Sequence, residues 1–580
     1  MLRQSVPRAI AVGLLHAMSA GAQEPALPGP TAPSGRPIVA CMGQVVDDIV
    51  IYSEAPSVAN LQRVPFVARL ARSLHVTTRP DLIRGFLLLK EGEFCSELRR
   101  AESERILRAQ PFLADAHIYV IPGDSGGVDL EIRTSDEASI VLGGSERAKS
   151  PVFTSLLLGT ANLAGEGIFT SGWWRYGEGF RDAVGGRLVN YQFLGNPIVF
   201  VLEGERASMG GQWRSELMRP FYTDLQRFAW RAQVGRSNGF LEILEPNGEV
   251  PTVNLSRNYF DVGGVARVGA PGRILSLVGV SLTGDDENSG NQLFNGDSGY
   301  ARVVGTLPRN YGSHRSARMN LLFGVRDINF VRREGLDALT GAQDVPLGVQ
   351  VGGLIGRSVR SLGAREDDSF FSGDVYAGAM SGIGILRMQF KGQARRGLGA
   401  DSLDSILMSG RATHSLQFSP WHVNQLSVEW SAAYRMLQPF QLFLGVPDAG
   451  VRGYEDANLA GGQRLVARAE ERFVLGRFLS QGDAGIAFFA DAGKQWAGDA
   501  PFGATIPIKT SVGIGLLAAV PPRSTRLWRM DLAIPLNSGA GTRYILSITN
   551  VDRTNFVFRE PRDVEGGREP TVPSSIFAWP

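Results

Sequence analysis

The sequence has 580 residues, enough for several domains, and it is rich in glycine, with 71 residues of this type. The formal net charge is +2 and only 20% of the residues are charged, which leaves no extended basic face for nucleic acid. Beyond the N-terminal segment no run of about 18 apolar residues occurs, which excludes membrane-spanning helices. A spanning β-barrel is not excluded, because its strands are only half apolar.

The N-terminus has the pattern of a targeting segment. Arg3 and Arg8 precede the apolar stretch 9–20, and Ala20-Gly21-Ala22 matches the small-residue pattern of a cleavage site. The pattern predicts a secretory signal peptide over residues 1–22. Residues 23–39 are rich in proline and small residues, and this composition predicts an unpacked tether.

Residues 40–137 predict one small mixed domain. A β-rich stretch comes first, two amphipathic helical stretches follow, and two short strands end the domain. Ser96 is positioned to cap the second helix. The expected order is therefore β-α-α-β-β. The predicted elements are a strand over 45–51, helices over 79–90 and from 96 to about 109, and strands over 116–121 and 128–133.

The joint between the last two strands, Gly123-Asp124-Ser125-Gly126-Gly127, has the same letters as the nucleophile motif of trypsin-like proteases. A nucleophilic serine needs a histidine base that is held by an acid. Neither His75 nor His117 lies in a protease-like context. The glycines and the aspartate are typical of a hairpin turn. We therefore predict a turn here, with no catalytic residue and no enzyme activity in the chain.

The chain has two cysteines, Cys41 and Cys95. In an exported protein such a pair favours a disulfide, and two unrelated thiols are the alternative. A metal site needs more ligands than two cysteines provide, and the six histidines are scattered without zinc-like spacing. Neither a metal nor a cofactor is predicted.

After residue 137 the helical period disappears, and apolar residues alternate with polar ones. The runs are about 10–13 residues long, whereas strands of globular proteins average about 5–6. Aromatic residues such as Trp496 and Trp528 lie near the ends of the runs. Because open sheet edges cannot exist in hydrocarbon, so many strands must close into a ring. We expect a transmembrane antiparallel β-barrel over 138–552 with roughly 16 strands. The clearest runs are 198–206, 226–234, 316–326, 425–436, 508–520, 529–536 and 543–551.

Three segments fit this pattern less well. The acidic runs 285–287 and 366–368 lie among glycine, serine and asparagine, and are predicted to be solvated loops. The last clear alternation ends near Val551, and residues 553–580 are predicted to be a tail whose role is unknown. A last strand placed toward Phe556 and Phe558 is the alternative.

Four motifs in the C-terminal half carry a family resemblance. The tetrapeptide Val451-Arg452-Gly453-Tyr454 lies in a loop, 444–462, between two strongly alternating strands. Gly461-Gly462 and a strand ending in Ala469-Glu470-Glu471-Arg472-Phe473 follow, then Phe489-Ala490-Asp491-Ala492-Gly493, and then 529–536. In this order they resemble the BamA/TamA-type outer-membrane protein assembly and translocation superfamily, whose surface-antigen-like barrel has an inward-folded loop. The domain 40–137 resembles one POTRA module, the periplasmic unit of that superfamily.

The resemblance implies a set of contacts in the barrel lumen. Arginine has five donors in a rigid fork that suits carboxylates. In the family, the loop arginine is held by acidic groups of the barrel wall. Arg452 would therefore meet Asp491 and one further glutamate. Motif spacing favours Glu471, whereas alternation places Glu470 on the lumen side.

The resemblance also implies a function. The chain is expected in the outer membrane of a Gram-negative-type bacterium, surrounded by lipid, with its POTRA domain in the periplasm. It would assist insertion of outer-membrane proteins or translocation of polypeptides. Extended clients would add to the edge strand 116–121 by β-augmentation, and accessory periplasmic proteins are further expected partners. The alternatives are a two-partner-secretion-like translocase and a passive porin or structural surface barrel. The single POTRA module departs from the first alternative, which usually has two.

Overall fold

The computed structural model shows a small N-terminal domain attached to one end of a closed antiparallel β-barrel. The predicted fold class is thereby confirmed. The signal peptide, most of the tether and the tail residues 553–559 and 570–580 lie outside the described residues. The alternative last strand toward Phe556 and Phe558 falls among them. No helix among the described residues is long and apolar enough to span a membrane. The structure describes residues 31–55, 76–147, 150–175, 182–207, 210–247, 249–271, 274–297, 300–309, 311–445, 450–454, 460–478, 482–537, 545–552 and 560–569.

The N-terminal domain is a four-stranded sheet covered by two helices. Its strand order is β2-β1-β4-β3, with β1 parallel to β4 and the other pairs antiparallel. Ile83, Leu107 and Ile132 are fully buried in its core, and Cys41 and Cys95 form a disulfide. The elements are β1 (Met42–Glu54), α1 (Pro80–Arg84), β2 (Phe94–Ser96), α2 (Glu97–Arg108), β3 (Leu113–Pro122) and β4 (Val128–Asp136).

Two details of this domain differ from the sequence-based prediction. The first helix was predicted over 79–90 but ends at Arg84. The chain then turns at Gly85, which places both Phe86 and Leu89 in the core, with exposed fractions of 3% and 2%. Ser96 does precede α2, but its side chain makes no capping hydrogen bond. The predicted hairpin turn at 123–127 is confirmed, since Gly123 N–H donates to Gly127 O at 2.9 Å.

The barrel wall runs in chain order, and each strand is antiparallel to the next one in the ring. The short β14 pairs only with the long β13, and β21 and β22 form a separate pair inside the ring. The first strand and the last strand are neighbours, which closes the barrel. The strands are β5 (Ile140–Arg147), β6 (Ser150–Thr160), β7 (Ile168–Arg175), β8 (Ala183–Asn190), β9 (Val199–Ala207), β10 (Gly210–Arg219), β11 (Phe228–Glu242), β12 (Thr252–Val268), β13 (Leu275–Asp297), β14 (Tyr300–Thr306), β15 (Ser313–Glu334), β16 (Ala342–Ser358), β17 (Asp368–Ser381), β18 (Gly384–Gly397), β19 (Asp404–Ser419), β20 (His422–Tyr434), β21 (Leu442–Phe443), β22 (Ala460–Gly461), β23 (Gln463–Phe478), β24 (Gly482–Trp496), β25 (Ile506–Ala519), β26 (Arg526–Pro535) and β27 (Ile545–Asp552).

The two faces of the wall have opposite polarity. On β15, Met319 and Phe323 point outward with exposed fractions of 62% and 41%, whereas Arg318 and Arg326 point inward and are fully buried. A protein in water would place these residues the other way round. An apolar outer face with a polar interior is the pattern of a barrel in lipid.

The wall has twenty strands in the described part of the chain, β14 not counted, whereas 16 were predicted. One reason is visible in β13. The acidic run 285–287 was predicted to be a loop, but it lies within this strand, paired with β15. Asp285 faces inward and receives two hydrogen bonds from Arg257, at 2.9 and 2.7 Å. Charged residues that face the lumen therefore made strands resemble loops in the sequence.

One end of the barrel, called the domain end below, is covered by the N-terminal domain and by the turn 335–341. Within this turn Leu336 and Leu339 are fully buried, and Asp337 accepts a hydrogen bond from Arg387 of the wall at 2.8 Å. Arg108 of α2 forms ion pairs with Asp344 at 2.8 Å. The opposite end is called the loop end.

Candidate functional site

The described residues of the predicted inward loop 444–462, which are 444–445, 450–454 and 460–462, enter the barrel from the loop end, between β20 and β23. At its base β21 and β22 pair Leu442 with Gly461. Leu444, Val451 and Tyr454 pack against Val466 of the wall in one buried cluster. Val451 N–H also donates to Leu444 O at 2.8 Å, which folds the loop back on itself. These apolar contacts place the next residue, Arg452, at the middle of β23 and β24.

Arg452 is held by three carboxylates of the wall. Its Nε and Nη2 donate to the two carboxylate oxygens of Asp491, each at 2.7 Å. Its backbone N–H donates to Asp491 Oδ2 at 3.2 Å. Nη1 donates to Glu470 Oε2 at 3.3 Å and lies 3.7 Å from Asp531 Oδ2. The fork-on-carboxylate geometry fixes both the position and the orientation of the loop.

Phe489 lies under the guanidinium group. The Arg452 carbon Cζ is 3.5 Å from the centre of the Phe489 ring, a cation–π contact that is stronger where water is excluded. Phe489 and Asp491 are two residues apart on β24, so both side chains point into the lumen. The predicted F-x-D-x-G motif therefore supplies the ring and the main carboxylate together.

The structure also places the two glutamates left open by the sequence. Glu470 lies on the lumen face with Arg464, Arg468 and Arg472. Glu471 points to the other face, where it accepts a hydrogen bond from Asn424 at 2.5 Å. The alternation of β23 thus identifies the partner of Arg452, and the motif spacing that favoured Glu471 was wrong.

Two glycines of the motifs give the loop the space that it needs. A Cβ atom on Gly493 would lie 2.5 Å from Val451 Cγ2 and 2.8 Å from Leu444 Cδ1, so this wall position accepts no side chain. Gly453 has φ +88°, a conformation that side chains rarely adopt. Tyr454 then anchors the far side of the turn, with its hydroxyl 2.8 Å from Thr510 O and 2.6 Å from Asn537 Oδ1.

Three charged residues of this site were not predicted. Arg472 and Arg529 both donate to Glu470, at 2.8 and 2.9 Å, and Arg529 donates to Asp531 at 2.6 Å. The segment 529–536 had been recognised as a motif, and its alternation already places Arg529 and Asp531 on one face. Their distance from Arg452 depends on the strand register, which the sequence does not show. We call Arg452, Asp491, Glu470, Asp531, Arg472, Arg529 and Phe489 the lumen clamp.

The predicted docking edge of the N-terminal domain is the outer strand of its sheet, as expected, but it is not free. The backbone N–H and carbonyl groups of Ile118 are already hydrogen-bonded within the domain. The N–H donates to Glu104 Oε2 at 3.2 Å, and the carbonyl accepts from Arg100 at 3.0 Å. Val120 O accepts from Val39 N–H at 2.9 Å. A client strand could pair with β3 only after displacing these groups.

Among the described residues, no group of three or more histidine, cysteine, aspartate or glutamate side chains could hold a metal ion. The interior of the barrel is instead organised by arginine–carboxylate pairs. What the arrangement can do is hold a loop rigidly inside a membrane-spanning ring.

The fold and the lumen clamp define a lipid-facing β-barrel with a pinned inward loop. No family model and no curated protein matches the chain. It is similar to several solved barrels. The crystal structure of BamA from Haemophilus ducreyi lacking POTRA domains 1-3 matches with 14% identity and a TM-score of 0.33, over 88% of this chain and 84% of that one. CdiB from Escherichia coli matches with 12% identity and a TM-score of 0.43, over 90% and 92%. CdiB from Acinetobacter baumannii has 10% identity and a TM-score of 0.36, over 88% and 73%.

Proposed function

We propose that this protein is an outer-membrane barrel that handles polypeptides, assisting either the insertion of outer-membrane proteins or the translocation of a polypeptide. The observation that carries the proposal is the lumen clamp, in which Arg452 of the Val-Arg-Gly-Tyr loop is held by Asp491 and Glu470. This is the contact that the motif resemblance implied. No chemical step is assigned to any residue, and we propose no enzyme activity.

The proposed location follows from the wall. Outward apolar residues such as Met319 and Val280, exposed by 62% and 66%, need lipid around them, and closed barrels of this type span bacterial outer membranes. The N-terminal domain would then lie in the periplasm, and the loop end would face outward. A disulfide between Cys41 and Cys95 fits an exported domain.

A passive pore is the less favoured alternative, because the lumen of this barrel is occupied. A simple pore gains nothing from a loop held at mid-height by buried charges, since burying charges costs free energy unless every one is paired. The lumen clamp contains three arginines and three carboxylates, so its formal charges cancel. An open channel does not need such a site, and the lumen clamp therefore favours a function other than passive diffusion.

The seam between the first and last strands supports an insertion role. As described, β5 and β27 have eight residues each, as do β7 and β8, whereas β13 and β15 have 23 and 22. A short ladder has few main-chain hydrogen bonds and therefore opens at lower cost. A client strand that pairs with an open seam would gain the same main-chain bonds.

The covered edge of the N-terminal domain changes the expected route of clients. Because Ile118 and Val120 already have partners, β-augmentation at β3 is not the proposed first contact. We propose the barrel seam as the place where an extended client pairs, and contacts to accessory periplasmic proteins remain part of the proposal. Translocation, as in two-partner secretion, would instead use the lumen.

The test is complementation of a strain depleted of this protein with variants of Arg452. We expect Arg452→Glu to abolish rescue while a folded, heat-modifiable barrel still accumulates, because the loop is repelled by Asp491 and Glu470. Arg360→Glu is the matched control, since Arg360 is an exposed arginine of another turn at the loop end. Arg360→Glu should rescue fully. Full rescue by Arg452→Glu would refute the role of the clamp.

A further inference from the structure

The described part of the C-terminal segment, which was predicted to be a tail of unknown role, lies inside the barrel. The last wall strand, β27, ends at Asp552, which pairs with Arg526 at the domain end. Residues 560–569 nevertheless lie in the lumen, toward the loop end. A short helix, α3 (Arg562–Gly567), buries Val564 completely against Leu407 and Phe440. We call residues 560–569 the lumen tail.

Ion pairs connect the lumen tail to the wall at two separate places. Asp563 pairs with Arg464 of β23 at 2.5 Å. Glu569 pairs with both Arg318 of β15 and Arg395 of β18. The two arginines are 0% and 5% exposed at their side chains. Glu569 balances them together with Asp368 of the wall, which lies 3.5 Å from Arg395.

A third polar contact joins the lumen tail to the wall through its own internal pair. Arg568 donates two hydrogen bonds to Glu560, both at 2.6 Å, and a third to Ser409 Oγ at 3.0 Å. Lys391 lies 3.7 Å from Glu560. Wall strands β15, β18, β19 and β23 therefore all contact the tail, which spans a broad part of the lumen.

The lumen tail also contacts the base of the inward loop. Gln438 donates to Gly567 O at 3.3 Å, and Arg464 donates both to Asp563 and to Phe443 O, the latter at 2.6 Å. A Cβ atom on Gly567 would lie 2.4 Å from the Phe440 ring, so the two segments are closely packed. The tail and the loop close the same half of the lumen together.

We propose that the lumen tail is a gate, an autoinhibitory segment whose acidic side chains occupy arginine sites of the wall until an acidic, extended polypeptide replaces them. Its attachment is suited to release, because most of its contacts are ion pairs and Val564 is its only large apolar side chain that is fully buried among the described residues. When Glu569 leaves, Arg318 and Arg395 retain one wall carboxylate, Asp368, and the two adjacent cations therefore attract another carboxylate. Closure of the lumen by the tail is independent of whether clients are moved, whereas its displacement by an acidic polypeptide rests on the proposed function.

Conductance in planar bilayers tests the gate without any client. Wild-type protein should be mostly closed. The double variant Asp563→Arg/Glu569→Arg should raise the mean conductance several-fold, because both anchors become repulsive toward Arg464, Arg318 and Arg395. Glu565→Arg is the control, a single acid-to-arginine change at an exposed position of α3 that contacts neither anchor, and it should behave as wild type. If the arginine variant does not fold, Asp563→Asn/Glu569→Gln removes the same pairs with neutral side chains and should open in the same way.

Thiol labelling provides a second measurement. The two native cysteines are bonded to each other, so a cysteine introduced by Val564→Cys is the reactive one. It should resist a maleimide in the otherwise wild-type chain and react in the double variant. Wild-type conductance together with unchanged labelling, in a folded double variant, would overturn the gate. If the gate opens in these tests but depletion of the protein affects no polypeptide, closure of the lumen by the tail is supported and only the proposed function is refuted.

Discussion

Arg452 is embedded in a cluster of alternating charges in which each group has a partner of opposite sign. Three arginines, Arg452, Arg472 and Arg529, meet three carboxylates, Asp491, Glu470 and Asp531. Neutrality matters here because an unpaired charge in a site without bulk water costs several kcal/mol. The same pairing with carboxylates explains why the wall can contain so many buried arginines.

Removing the loop arginine should therefore destabilise the protein strongly. Arg452→Ala leaves an excess negative charge beside Asp491 and should lower the free energy of unfolding by about 3–5 kcal/mol. Arg452→Lys keeps the charge but loses the two parallel bonds to Asp491, so its loss should be intermediate. Denaturant unfolding in lipid vesicles measures both. Equal stability of the alanine variant and wild type would contradict the role of the clamp in holding the loop.

At the residue scale, part of the site could be predicted. The motif resemblance indicated Arg452 and Asp491, and the alternation of β23 indicated Glu470. Asp531 and Phe489 were not identified as partners of Arg452, because their approach depends on how β23, β24 and β26 are aligned. Register is set by many wall contacts and leaves no local sequence pattern.

A junction centred on Asp136, the last residue of β4, connects the N-terminal domain to the barrel. Burial raises the pKa of Asp136 to about 6, although hydrogen bonds from Thr78 oppose the shift. Thr78 N–H and Oγ1 donate to its two oxygens at 2.8 and 2.6 Å. Asn162, in the turn between β6 and β7, donates to Thr78 Oγ1 at 2.8 Å. The carboxyl group thus lies in the connection between the two parts.

The junction should be more stable in mild acid. A carboxyl pKa that is raised in the folded state gives stability that is fully present below its unfolded value, about 3.9, and is lost as the pH rises through about 6. Because of this group, the N-terminal domain of the intact protein should unfold at a higher temperature at pH 5 than at pH 7. Asp136→Asn, which stays neutral, should reduce that difference. An equal difference in both proteins would show that Asp136 does not titrate in this range.

At the scale of elements, the sequence pattern was most reliable where one face is apolar. The runs 425–436 and 508–520 correspond to β20 and β25 within about three residues at each end. It failed for β13, where the inward face has Asp285 and Glu287 next to glycine and serine. A strand that faces a polar lumen resembles a loop in composition, and its outward apolar residues are then easily missed.

The whole molecule is a ring with described segments packed inside both of its ends. The turn 335–341 and the N-terminal domain cover the domain end, and the inward loop and the lumen tail fill the loop half. The ring itself could be predicted, because lipid demands a closed sheet with alternating faces. The position of the tail could not be predicted, because the partners of Glu569 lie on strands far apart in the sequence and only the folded barrel brings them together.

The measurement that tests the central claim most directly is a quantitative comparison of outer-membrane and secreted proteins before and after depletion of this protein. Handling of polypeptides predicts that specific proteins disappear: loss of barrel proteins from the membrane indicates insertion, and loss of a secreted protein indicates translocation. Restoration by wild type and by Arg360→Glu, but not by Arg452→Glu, should follow. An unchanged protein profile in fully depleted cells would contradict the account and leave a closed barrel without a client.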